Sequence, residues 1–202
     1  TSLSEVAGPE DAPLPFTTRS SKCAFDADDT VYLLGQVEGR AALLYAKPGE
    51  EHLNPCFLPV RGSVDLEQFS GNNRPDGPPP LVSYTLTEKD PDVFWRRLND
   101  LQLLLPVKNA DGTLELEEPV LISHKCIGFS AHSGIPSSVV SRDGKVHVAW
   151  AEATEPEEKA PGVPTFVVAY DRNTGQLGAP ALVGYGPPAN DCHNTPSITM
   201  DS

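Results

Sequence analysis

The chain has 202 residues, 39% of them hydrophobic, and a formal net charge of −13. This acidity argues against nucleic acid and anionic membrane surfaces as partners, because no basic stripe is present to neutralise phosphates. No run of 18 apolar residues occurs, so no transmembrane helix is predicted. The 21 prolines and 16 glycines are too dense for long helices and favour short strands joined by turns. We therefore predict an all-β fold.

Residues 1–15 (TSLSEVAGPEDAPLP) lack the basic and apolar regions of a signal peptide. We interpret them as an extended lead-in to a single domain at 16–202.

Three hairpin-like segments repeat along the chain: LLYAKPGEEHLNPCFLPV, LLLPVKNADGTLELEEPVLIS and FVVAYDRNTGQLGAPALVG. Each has an apolar run, a polar turn with one glycine, and then a proline before a second apolar strand. The turn glycines are Gly49, Gly112 and Gly175, which are 63 residues apart in both steps. Glycine supplies the positive φ that a tight hairpin turn needs.

A second repeat relates residues 23–36 (CAFDADDTVYLLGQ) to residues 139–152 (VVSRDGKVHVAWAE). Each has a short apolar stretch, a polar turn and an alternating strand, and the alternation places Tyr32 and His147 on the face opposite their valine neighbours. The last residues, SITMDS, begin the same pattern again.

Each repeat holds about four short strands in roughly 60 residues, the size of a β-propeller blade. We predict blades at 16–59, 80–123 and 132–184, with a fourth beginning at 193, and a loop at 61–80. Three blades and the start of a fourth cannot close a ring. We therefore expect a longer chain, or a second chain, to complete the propeller.

Residues 90–105 (DPDVFWRRLNDLQLLL) offer a competing interpretation. Asp90 could cap a helix that has Pro91 at its first position. The repeat register places the same residues on inner strands of the second blade, and we favour strand.

Two histidines occupy matching positions in the repeats. His132 and His193 each lie 13 residues after a proline, Pro119 and Pro180, and each precedes Pro-Ser and an apolar strand. In a propeller this is the loop that enters the innermost strand, near the central channel. A histidine there could act as a general acid or base at neutral pH, or it could cap the loop. His52 and His124 are expected to be exposed.

The runs NDCHNTPSITMDS and HSGIPSSVVSRDGKVHVAW resemble the BNR-4 repeat of polysaccharide-lyase propellers of the ulvan-lyase type, and of related propellers that cleave rhamnose–glucuronate linkages. The resemblance covers 131–202 well and 17–36 weakly. It implies a seven-bladed, secreted or extracellular propeller that cleaves a uronic-acid-containing polysaccharide by β-elimination. It implies no cofactor, and it leaves a structural metal ion open.

In such lyases a His or Tyr removes the proton next to the carboxylate, a His or Tyr protonates the leaving oxygen, and an Arg or similar group neutralises the uronate. The His-Asn step of the family matches His193-Asn194, and His132 is its counterpart one repeat earlier. The second histidine of the family pattern would lie beyond Ser202. We predict His193 and His132 as catalytic residues.

Four further residues are candidates for contact with the polysaccharide. Asn194 follows His193, Tyr185 lies in the loop just before it, and Arg172 could meet a uronate from a hairpin turn, as could Arg142. A propeller glycoside hydrolase and a non-catalytic propeller that binds glycans or proteins remain alternatives.

Other sites are less well supported by the residues. Cys23, Cys56, Cys126 and Cys192 form no C-x-x-C pair, and they allow either two disulfides or four thiols. The group of Asp191, Cys192, His193 and His132 has no recognised metal-ligand spacing. A sialidase is disfavoured, because Ser141-Arg142-Asp143-Gly144 lacks the spacing and the Thr-Trp of an Asp-box.

Overall fold

A computed structural model of the chain describes residues 23–59, 63–66, 74–89, 97–127, 137–154, 159–187 and 196–199. Within these ranges every regular element is a β-strand, which confirms the predicted all-β class. No helix in this part of the chain is long and apolar enough to cross a membrane.

Sheet one is a four-stranded antiparallel meander in which neighbours in sequence are neighbours in the sheet. Its strands are β1 (Cys23–Phe25), β2 (Val31–Val37), β3 (Arg40–Ala46) and β4 (Asn54–Phe57). The β1–β2 turn has Asp29 at positive φ (61°), a conformation that Asp tolerates better than most residues.

Sheet two repeats this order with a small hairpin inserted before its last strand. Its strands are β5 (Ser63–Leu66), β6 (Leu81–Lys89), β7 (Arg97–Leu104) and β10 (Val120–Ile127), and the inserted pair is β8 (Pro106–Lys108) with β9 (Leu114–Leu116). The chain therefore runs from β7 into the small hairpin and returns along β10 to pair with β7.

Sheet three has the same meander with its outermost position divided between two strands. Its strands are β11 (Ser137–Arg142), β12 (Lys145–Ala151), β13 (Val163–Asp171), β14 (Gln176–Leu177) and β15 (Ala181–Gly186). Both β14 and β15 pair with β13. The β13–β14 pair therefore corresponds to the inserted β8–β9 hairpin of sheet two.

The turn glycines identified in the sequence confirm the repeat. Gly49, Gly112 and Gly175 have φ values of 87°, 84° and 69°. The amide N–H groups of Gly112 and Gly175 donate back across their turns, to the Asn109 and Asp171 carbonyls, and in the first turn the Glu50 N–H donates to the Lys47 carbonyl. The spacing of 63 residues thus marks the same turn in three successive sheets.

Successive sheets pack face to face through buried apolar side chains. Leu34 and Leu43 of sheet one form one cluster with Leu81 and Leu104 of sheet two. A second cluster joins sheet two, through residues such as Leu101 and Leu103, to sheet three. The members of the second cluster that come from sheet three are Val139, Val146, Val148, Trp150 and Val168.

One local expectation was wrong, and another was confirmed over part of its length. The predicted loop at 61–80 contains β5, whose four residues are too few for their alternation to stand out in the sequence. For residues 90–105 we favoured strand over helix, and the structure has a strand over Arg97–Leu104. Residues 90–96 lie outside the described ranges. The described sheets do not close into a ring, so antiparallel all-β architecture is what the structure establishes.

Candidate functional site

The meander order places two kinds of connection at opposite ends of the sheets. The turns β1–β2, β11–β12 and β13–β14, the small β8–β9 hairpin and residues 74–78 meet at one end, which we call the turn rim. β10 ends at Ile127, opposite Leu98 at the beginning of β7, so the step towards sheet three starts at the other end. We call this the far end.

Two adjoining clefts lie on the turn rim. One has a volume of about 370 Å³ and lies between sheets one and two, with Asp28 and Lys108 on its walls. The other has a volume of about 410 Å³ and lies beside the β11–β12 turn, with Arg142 and Lys145 on its wall. Arg172 and Asp76 line both clefts, so the clefts meet at these two side chains.

Hydrogen bonds between the turns fix the shape of the rim. The Ala27 N–H donates to the Pro75 carbonyl at 3.0 Å, and the Arg172 N–H donates to the Gly144 carbonyl at 2.8 Å. The Arg172 guanidinium donates to the Pro106 carbonyl at 3.4 Å. The rim is therefore built from all three sheets, each tied to the next by a backbone acceptor.

Cations are concentrated on this rim of an acidic protein. Four cationic side chains and two carboxylates line the larger cleft, a formal charge of +2 against −13 for the whole chain. The cations are Arg74, Arg142, Lys145 and Arg172, and the carboxylates are Asp76 and Asp143. Arg74 is paired with Asp29, and Lys108 lies 3.5 Å from Asp28. The larger cleft can therefore attract an anion, and the carboxylates of both clefts offer hydrogen-bond acceptors.

The structure separates two of the residues predicted to contact the polysaccharide. Tyr185 pairs with Pro164 near the beginning of β13, whereas Arg172 follows Asp171 at its end. Eight residue steps along the strand separate these positions, which is about 26 Å at roughly 3.3 Å per residue. Tyr185 is exposed at the far end, and Arg172 is half-buried on the turn rim, so one sugar residue cannot contact both.

A polar cluster lies between sheets two and three, towards the far end. Oε1 of Glu152 accepts a 2.6 Å hydrogen bond from the Ser123 hydroxyl and a 2.9 Å bond from the Trp150 indole N–H. Asn99 is buried and donates to the carbonyl of Cys126. Every one of these donors has a partner inside the protein, so the cluster serves to join the two sheets.

His124 on the edge strand β10 pairs with Asp100 on the neighbouring strand β7, at 2.8 Å between Nδ1 and Oδ1. The side chain of His124 is 71% exposed, as the sequence predicted, and His52 is exposed too. His124 lines neither of the two clefts. We interpret it as a surface pair between strands.

No protein-family model, curated protein or solved structure matches this chain. Its site must be argued from its own residues. His132, His193 and Asn194 lie outside the described residues, and their predicted roles stay predictions.

The described cysteines are free thiols. Cys23 is exposed, Cys56 and Cys126 are buried, and Cys192 lies outside the described ranges. No disulfide therefore links the first three. Among the described residues, no group of three or more His, Cys, Asp or Glu side chains is placed to hold a metal ion.

The sequence alone singled out Arg172 and Arg142 on the turn rim but missed Arg74, Lys108 and Lys145. These residues are scattered over 72 positions of the chain, and each is an ordinary cation in a loop or short strand. Only the stacking of the sheets brings them to the same clefts. The repeat of turn glycines was the one signal that could have indicated that these turns share an end.

Proposed function

We propose that this chain is a section of a β-propeller that cleaves a uronic-acid-containing polysaccharide by β-elimination. The observation that supports the propeller is the repetition of one meander in three sheets that pack face to face in chain order. Antiparallel meanders of four strands, repeated in this way, are the unit of propellers. The lyase activity rests on the resemblance of the repeats that contain His132 and His193.

The far end is where the proposed reaction would take place. β15 ends there at Gly186, opposite Val163, and Tyr185 is exposed beside it. His193 and Asn194 follow along the chain within eight and nine residues of Tyr185. This short separation supports a shared site for the tyrosine, the histidine and the asparagine.

The chemistry requires three tasks from the protein. A base, which we assign to His193, takes the proton from the carbon next to the uronate carboxylate. The electron pair forms a carbon–carbon double bond as the neighbouring carbon–oxygen bond breaks, and an acid, for which Tyr185 and His132 are candidates, protonates the leaving oxygen. A cation or hydrogen-bond donors must mask the carboxylate charge, because the carbon acid is otherwise too weak.

Arg172 is too far from Tyr185 to mask that charge, since the two lie at opposite ends of β13. The neutralising group at the far end must therefore be a different one. A polymeric substrate also supports action outside the cell.

The experiment is to incubate the full-length protein with several uronate polysaccharides and follow absorbance near 235 nm, which reports the new unsaturated sugar. His193→Ala should abolish the signal. His52→Ala should leave it unchanged, because His52 is an exposed residue in the β3–β4 turn. New reducing ends without absorbance would indicate a glycoside hydrolase instead. Binding without any product would indicate a non-catalytic propeller, the second candidate, which the cation-lined clefts also favour.

A further inference from the structure

We propose that the turn rim is a second binding site, separate from the elimination site, and that it holds a uronate-containing segment of saccharide in the two clefts that meet at Arg172. The choice of uronate rests on the proposed function, whereas binding at the rim requires no catalysis. Neither cleft includes a residue of the far end.

The size and rigidity of the clefts fit a small ligand. Their volumes of about 370 and 410 Å³ each fall within the range of small-molecule sites, about 300–1,000 Å³. The Arg172–Gly144 and Ala27–Pro75 backbone bonds hold the walls in place before any ligand arrives. A preformed site loses little conformational entropy on binding.

The cations define the charge of the ligand. Arg172 stands where the clefts meet, with one N–H group on the Pro106 carbonyl, and a guanidinium has five donors, enough to bind a carboxylate as well. Lys145 and Arg142 line the larger cleft from the adjoining β11–β12 turn, and Nε of Arg142 lies 3.8 Å from Oδ2 of Asp143. A single carboxylate between Arg172 and Lys145 would be neutralised from two sides.

The carboxylates on the walls define the rest of the ligand. Asp76 lines both clefts, and Asp143 lines the larger one. Sugar hydroxyls can donate to these oxygens, whereas the carboxylate side chains of an acidic peptide can only accept and would be repelled. Pro78 and Pro106 add apolar surface to the smaller cleft, against which the C–H face of a sugar ring can pack. The combination favours an acidic saccharide.

When one segment of a polymer is bound at the turn rim, the rest of the same polymer stays nearby. The effective concentration of polymer at the far end is therefore raised. The structure thereby gives Arg172 a role in substrate contact that its distance from Tyr185 rules out at the elimination site.

The test is isothermal titration calorimetry of the full chain with hexagalacturonate in low salt. The variants are Lys145→Gln and the double change Arg172→Gln/Lys145→Gln. Lys47→Gln is the matched control. This change removes the same charge as Lys145→Gln, but Lys47 is on the β3–β4 turn and lines neither cleft. Lys145 is exposed, so its single variant keeps the test valid even if the double variant folds poorly.

We expect about a threefold loss of affinity for Lys145→Gln, a loss of tenfold or more for the double variant, and less than a twofold change for Lys47→Gln. Equal affinity in all four proteins would overturn the proposal. Binding of hexaglutamate as tightly as hexagalacturonate, or full displacement by inorganic phosphate at equal concentration, would also overturn it. Loss of rim binding with the 235 nm signal retained on short substrates would support the separate site. The absence of that signal on all polymers, with rim binding intact, would reject only the lyase.

Discussion

The Tyr32 hydroxyl donates a 2.7 Å hydrogen bond to Oδ2 of Asp26, and both residues are buried beneath the β1–β2 turn. The other oxygen of Asp26 accepts from the amide N–H groups of Asp28 and Thr30 at 3.0 and 2.9 Å. A buried carboxylate is costly unless its oxygens are hydrogen-bonded. The turn therefore folds around Asp26, and Tyr32 is placed to complete its set of donors.

Replacing Tyr32 with Phe should destabilise the protein. The change leaves one oxygen of a buried carboxylate without its side-chain donor, which costs about 1–3 kcal/mol. Urea unfolding at pH 7 measures this loss. Tyr185→Phe, at an exposed tyrosine, should stay within about 0.5 kcal/mol of wild type, and a similar loss in the two variants would contradict the role of the Asp26 bond.

Stability should also fall at alkaline pH through Tyr32. Burial, and then the bond to Asp26, raises the pKa of Tyr32 above its ordinary value of 10.0. Because the pKa of Tyr32 is higher in the folded than in the unfolded state, its contribution to stability is fully present below pH 10. Above pH 10 the tyrosine ionises in the unfolded protein first, so the free energy of unfolding falls as the pH rises. Unfolding free energies at pH 8, 10 and 11 should decline more steeply in wild type than in Tyr32→Phe. Parallel declines in the two proteins would contradict this role of Tyr32. Burial also raises the pKa values of the Cys56 and Cys126 thiols, but both thiols are present in both proteins, so their effect cancels in the comparison.

Leu101→Ala should weaken the contact between sheets two and three. Leu101 is fully buried in the cluster that joins them, and truncation of such a leucine costs about 2–5 kcal/mol through lost burial and a cavity. Leu86→Ala is the matched control, since Leu86 is 54% exposed on the neighbouring strand β6. Urea denaturation of both variants tests the difference. If the two losses were equal, the face-to-face packing would not be a major source of stability.

Gly162→Ala should be harmful and Gly184→Ala harmless. A Cβ added at Gly162 would lie 2.7 Å from the backbone of Gly186, whereas one at Gly184 would meet nothing within 4 Å. Backbone atoms cannot rotate away as a side chain can, so overpacking at Gly162 should cost about 1–3 kcal/mol. Thermal unfolding compares the variants. Equal melting temperatures would mean that β13 and β15 can move apart at no cost.

The described cysteines should differ sharply in reactivity. Cys23 is exposed, while Cys126 is buried and desolvation raises the pKa of its thiol, and the thiolate is the nucleophile. Iodoacetamide at pH 8, followed by peptide mass spectrometry, should therefore modify Cys23 quickly and Cys126 only after unfolding in urea. Modification of Cys126 at the rate of Cys23 in the native protein would contradict its burial.

Much of the fold was accessible from the sequence because its signals are local. A turn that needs positive φ selects glycine, so Gly112 and Gly175 marked their hairpins without any knowledge of the sheets. The strand β5 was missed because four residues carry too little alternation, and its place is decided by pairing with β6 across a long connection. The interpretation of Arg97–Leu104 as strand succeeded only because the repeat outweighed a local helix signal.

The sequence by itself determined the all-β class, the hairpin turns and the acidity of the chain, since these follow from backbone preferences and from composition. The tertiary structure decided which side chains share a surface. It placed Arg172 and Lys108 in one cleft and moved Tyr185 to the opposite end of β13. The physical reason is that the stacking of sheets joins residues distant in sequence, whereas an extended strand separates near neighbours by about 3.3 Å for every residue.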